Sequence, residues 1–130
     1  MREQKAVTDY AKLINNLYEI PHVRYASIAD DMGQRIAGGM KPGVRSATAP
    51  EEETRLSLQS ILSLKTAESY QKYTGKLQYL SISWEKMSAI FLLLPNSKSL
   101  TLTIDKKGDQ SAIVKRATAI VKNSVTNAKK

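Results

Sequence analysis

The sequence has no cysteine, which excludes disulfides, thiolate metal sites and thiol catalysis. Its one histidine, His22, follows Pro21 at an element boundary. A lone imidazole cannot build a multi-histidine metal site, and here it reads as a surface or turn residue. Long apolar runs are missing too. The longest, "AIFLLLP" (89–95), is too short to span a bilayer, and the charged start "MREQKAVTDY" lacks an apolar signal core. These absences predict a soluble, cytoplasmic protein. The glycines of "QRIAGGMKPG" fit neither G-x-G-x-x-G nor a Gly-Lys-Ser ending, and no helix opens directly after Gly38 and Gly39. A phosphate cradle is therefore the weaker reading of this stretch, and a hairpin the stronger.

Catalytic groups are equally sparse. Asp30 and Asp31 are adjacent and sit in a turn sequence, where aspartate bonds its own backbone. Glu51, Glu52 and Glu53 suit the positive end of a helix dipole. Ser57, Ser60 and Ser63 have no paired histidine in any nucleophile motif. The chain reads as a non-enzyme, with no metal and no cofactor.

Positive charge is what the chain has in surplus: 20 Lys and Arg against 12 Asp and Glu, a net charge of +8. That favours acidic partners such as nucleic acid, anionic lipid or an acidic protein surface, but a solubilising surface is the stronger reading, because the charge is spread out. It is locally dense in "KKGDQSAIVKR" (106–116) and in the "NAKK" tail (127–130), and no aromatics are interleaved in an RNA-binding pattern. Lys41 and Arg45 flank Pro42-Gly43 and form a candidate anion or partner loop, or else a solvated bend.

The length of 130 residues suits one domain over 1–130 with its own core, ending in a frayed basic tail over 127–130. Val7, Tyr10, Ala11, Ile14, Leu17 and Tyr18 form one helical stripe, ended by Pro21. "HVRYASIAD" (22–30) and "QRIAGGM" (34–40) predict two strands joined by an Asp-Asp-Met-Gly turn, with Gly38 and Gly39 marking a bulge or a close approach. A central helix is predicted over 48–75: Thr48 and Glu51 fit a capping box, Gly75 fits the residue past its end, and Leu58, Ile61 and Leu62 form its stripe. Leu56 and Leu64 lie off that stripe and need cover. "KLQYLSISW" (76–84), "MSAIFLLLP" (87–95) and "SLTLTID" (99–105) predict three strands, the middle one apolar on both faces and the last with one wet face. Asp109 is a fair N-cap for a last helix whose stripe is Ile113, Ala117, Ile120, Val121 and Ser124. The fold class is α+β: a five-stranded, mostly antiparallel sheet with helices on its faces, in the order α-β-β-α-β-β-β-α.

That order, the acidic-Gly hairpin "VRYASIADDMGQRIAGG" and the long helix after "KPGVRSATAP" resemble the roadblock (dynein light-chain roadblock) domain of the profilin-like group, over residues 4–125, and within it archaeal members. The Lys-Pro-Gly bend departs from that hairpin's usual end. The resemblance implies a homodimer joined through an edge strand, with central helices side by side. It also implies a non-enzymatic scaffold or regulatory subunit docking a protein partner, a small GTPase among the candidates. The matching interface positions are Leu56, Leu64, Leu77, Tyr79, Ser81 and Trp84. A free edge carrying Leu77, Tyr79, Leu80, Ile82 and Trp84 would invite aggregation, and a second copy would cover it. The other arrangement puts Leu56, Leu64 and Trp84 inside one chain's core. A small-ligand sensor, with a pocket between the sheet and the Lys-Pro-Gly loop, is a further alternative.

Overall fold

The structure, a computed structural model, describes residues 5–7, 9–44 and 50–127, and the side chains of 9–44 and 55–125. Arg45, Thr48, the side chains of Glu51, Glu52 and Glu53, and the end of the tail (128–130) lie outside the described residues.

The elements are β1 (Lys5–Val7), α1 (Tyr10–Tyr18), β2 (Val23–Ala29), β3 (Arg35–Met40), α2 (Pro50–Glu68), α3 (Gln71–Thr74), β4 (Leu80–Ser83), β5 (Met87–Leu94), β6 (Lys98–Asp105), α4 (Gln110–Ser124) and β7 (Val125–Asn127). Five strands form one sheet in the order β3-β2-β6-β5-β4, and every neighbouring pair is antiparallel. The predicted α+β architecture is therefore present. β1 and β7 add a separate antiparallel ribbon that the sequence pattern does not predict. Val7 lies in that ribbon rather than in the first helix, and Asn127, expected to open the tail, pairs with Lys5.

Alternation along the strands divides the core. Ile90, Leu92, Leu100, Leu102, Ile104, Ala26 and Ile28 face one way and pack with Leu13, Ile14 and Leu17 of α1 and Ile113, Val114 and Ala117 of α4. The opposite face is smaller: Leu64 of α2 meets Ala89 and Phe91, with Leu77, Leu80, Ile82 and Leu93 packed around them. The polar positions of β6 fall on this second face and are not wet. Ser99 is buried, and Thr101 and Thr103 are half-buried.

Local chemistry sets the element ends. Asp9 and Asp109 cap α1 and α4, their carboxylates accepting from the Lys12 N–H at 3.0 Å and the Ala112 N–H at 3.2 Å. Asp30 Oδ1 accepts from the Met32 and Gln34 N–H groups at 2.9 and 3.0 Å, closing the β2–β3 turn. The long helix stops at Glu68, well short of Gly75. The Gln71 side chain then accepts from the Leu77 N–H at 2.7 Å. That bond holds the chain out of the ladder, so β4 starts at Leu80 and not at Lys76.

His22 has a left-handed backbone (φ 74), and its ring Nδ1 lies 3.1 Å from Asp105 Oδ1. Partial desolvation pushes the Asp105 carboxyl up, but the Lys107 N–H and the His22 ring outweigh it, and the net direction is down. A carboxyl held below its ordinary value stabilises the fold above that value and loses the contribution as pH falls through its folded pKa. Urea midpoints of the parent and Asp105→Asn are therefore expected to differ at pH 7 and to converge below about pH 4. An unchanged gap on acidification would mean that Asp105 contributes through its backbone turn alone.

Candidate interaction surface

β4 is the sheet edge, the position that the family resemblance implies for that strand. Among the described residues it is hydrogen-bonded to β5 alone, in the register Leu80↔Phe91, Ser81↔Ile90, Ile82↔Ala89 and Ser83↔Ser88. Leu80 and Ile82 point to the α2 side, where they are only half-buried. Ser81 points to the other side, and its Oγ accepts from Gln110 Nε2 of α4 at 3.1 Å. Trp84, just past the strand, is 41% exposed, and its backbone N–H donates to the Met87 carbonyl at 2.8 Å. Leu77 and Tyr79, in the lead-in to the strand, are half-buried against the two core clusters. An edge with one free ladder and a half-covered apolar row can accept another strand.

The helix face differs from the expected one. Leu64 is 1% exposed and packs on Ala89 and Phe91. It is covered within its own chain and does not belong to an outer stripe. Leu56 is half-buried. The outward leucines are Leu58 and Leu62, 46% and 59% exposed, which the stripe read from the sequence turns inward. Ser57 and Ser60 occupy the inward side. Ser57 Oγ donates to the Gly33 carbonyl at 3.2 Å, tying α2 to the β2–β3 turn, and Ser60 Oγ donates to the Leu56 carbonyl at 2.7 Å. Neither serine is set up as a nucleophile. Tyr70 and Tyr73, after the helix, are also exposed. The α2 side of the molecule thus carries a free apolar strand edge and a helix with two outward leucines.

The other candidates do not gather into a site. The Lys41 N–H donates to the Arg24 carbonyl at 2.9 Å as β3 ends, and Lys41 is half-buried. A cavity of about 230 Å³ lies away from the Lys-Pro-Gly loop, between Ile61, Leu64, Lys65 and Glu68 of α2 and the β5–β6 turn. The sensor pocket expected beside the Lys-Pro-Gly loop borders residues 45–49, which lie outside the described residues. Among the described residues, no group of three or more His, Cys, Asp or Glu could hold a metal ion, and no helix is long and apolar enough to cross a membrane.

An antiparallel five-stranded sheet with one long helix on one face and two helices on the other is an α+β fold shared with solved roadblock-domain structures. The roadblock/LC7 domain from Streptomyces avermitilis superposes with a TM-score of 0.67 at 12% identity, over 89% of this chain and 94% of that one. The gliding protein MglB from Thermus thermophilus gives 0.69 at 15% identity, over 88% and 87%. MglB from Myxococcus xanthus gives 0.67 at 13%, over 90% and 91%. At these identities the likeness is one of fold. No protein-family model matches the chain, and no curated protein matches it by sequence.

Proposed function

We propose that this chain is a non-enzymatic scaffold that pairs with a second copy through β4 and α2, and that the pair docks a protein partner in the cytoplasm, with a small GTPase among the candidates. The observation that carries the reading is the free β4 edge, with half-covered Leu80 and Ile82, on the same side of the sheet as the outward Leu58 and Leu62. Pairing two copies of β4 would satisfy both free ladders and give the leucines an apolar partner. A protein of the same fold, MglB, is found in a tetrameric arrangement, which supports self-association on this scaffold.

Light scattering after size exclusion tests it. The parent is expected at twice the 14.4 kDa chain mass at micromolar concentration. Leu62→Asp, at an exposed position, is expected to weaken the pair by about thirtyfold or more, the effect of a central interface residue, with an unchanged melting curve for the single chain. A parent at the single-chain mass up to high micromolar concentration would falsify the pairing. A pair that ignores Leu62→Asp would move the interface off α2.

A further inference from the structure

The side of the sheet away from α2 has a surface of its own. α1 and α4 pack together there over the larger core cluster. Along α4 the buried positions Ile113, Val114 and Ala117 leave Lys115 and Lys122 pointing straight out, two turns apart, with Arg116 on one flank. Lys12 of α1 and Lys107 before α4 are exposed as well. α4 holds three cations and no carboxylate between Gln110 and Ser124. The carboxylates of this layer lie at element ends rather than along the outer face of α4: Asp9 and Asp109 cap the helix N-termini, Asp105 ends β6 beside His22, and Glu19 ends α1. Among the described residues, Lys107, Lys115, Arg116 and Lys122 have no ion-pair partner.

We infer that this α1–α4 face adsorbs to an anionic lipid bilayer through Lys115, Lys122, Arg116 and Lys107. Shape and charge together select that occupant. Two packed helices make a slab about 20 Å across, too wide to enter a duplex major groove of about 12 Å, which excludes base readout and leaves duplex DNA as a phosphate-only competitor. The outer positions between the lysines, Ala112, Thr118 and Ala119, are small, so a broad flat surface can approach closely. They offer no aromatic ring to stack on a base and no large apolar side chain to insert among acyl chains. Binding is therefore electrostatic, peripheral and salt-sensitive, with each lysine near the surface contributing a several-fold gain. A single chain suffices, so the inference stands or falls apart from self-association.

Co-sedimentation with vesicles decides it. The parent is expected to bind phosphatidylcholine vesicles containing about one-third phosphatidylserine at about 0.05 M salt, to leave them at about 0.5 M, and to ignore pure phosphatidylcholine. Lys115→Gln combined with Lys122→Gln is expected to lower that binding about thirtyfold, with an unchanged melting temperature because both positions are exposed. Equal binding to neutral vesicles overturns the inference, as does an unaffected double variant. Tighter binding to a short duplex DNA at the same salt, lost in the same variant, overturns it in favour of nucleic acid.

Discussion

Replacing Gly38 by alanine is expected to remove about 3–5 kcal/mol of stability, from backbone strain and overpacking together, out of a total of about 5–15 kcal/mol for a domain of this kind. Gly38 pairs with Ser27 across the β2–β3 ladder and has φ +88, a conformation that side chains disfavour. A Cβ there would stand 2.1 Å from the Ala26 carbonyl oxygen and 2.9 Å from both Ser27 Cα and Ile14 Cδ1. Two of those three atoms are backbone of the neighbouring strand, so relief requires β3 to pull away from β2. That would also disturb Tyr18 of α1, whose hydroxyl donates to the Gly39 carbonyl at 2.8 Å. Gly75 supplies the control. Its φ is +90 with ψ 176, but nothing lies within 4 Å of its would-be Cβ, so Gly75→Ala should cost only the strain, about 1–3 kcal/mol. Urea denaturation of the two variants separates crowding from dihedral strain. Equal losses would show that the close approach at Gly38 relaxes without penalty. The glycines of this stretch thus serve the hairpin, the reading the sequence favours.

The element order was legible because each element carries its own signal. β6 alternates strictly, α4 has Asp109 at its start and a 3–4 stripe, and the β2–β3 turn has aspartate and glycine where turn geometry uses them. The β1–β7 ribbon was not legible, since strands of three residues are too short to show a period. The edge position of β4 came from the family resemblance and not from any period in its residues, and its start was not legible, because the Leu77 N–H is held by the Gln71 side chain before the ladder begins. The inward face of α2 was misread for a specific reason. Leu58–Leu62 and Ile61–Leu64 are two stripes about 100° apart, and either can serve as a buried seam. The deciding signal was polar. β2 and β6 present Ser27, Ser99, Thr101 and Thr103 on the α2 side, so serines of α2 can lie against that face while two leucines face out. Sequence hydrophobicity ranks that arrangement second, and it is the arrangement that creates the candidate surface.

Because α2 is fastened to the sheet by a small cluster, Phe91→Ala is expected to act on the interaction surface far more than its core position suggests. Phe91 is 1% exposed, sits opposite Leu80 of the edge strand, and shares its cluster with Leu64 and Ala89. Truncating it should cost about 3–5 kcal/mol. Ile90, one residue back and fully buried, points to the opposite face among the side chains of the larger cluster, and Ile90→Ala should cost a comparable amount, about 2–5 kcal/mol. The two variants should differ in where the loss falls. With Phe91→Ala, Leu64 loses its principal large partner, so amides of α2 between residues 61 and 68 should exchange faster than those of α4, and self-association should weaken along with them. With Ile90→Ala, α1 and α4 should lose protection first, and pairing should persist wherever the chain remains folded. Hydrogen exchange read by mass spectrometry, beside light scattering, distinguishes these outcomes. If both variants loosen α2 and α4 alike, the domain unfolds as one unit, and the smaller cluster is not the separate fastening that a β4–α2 interface requires.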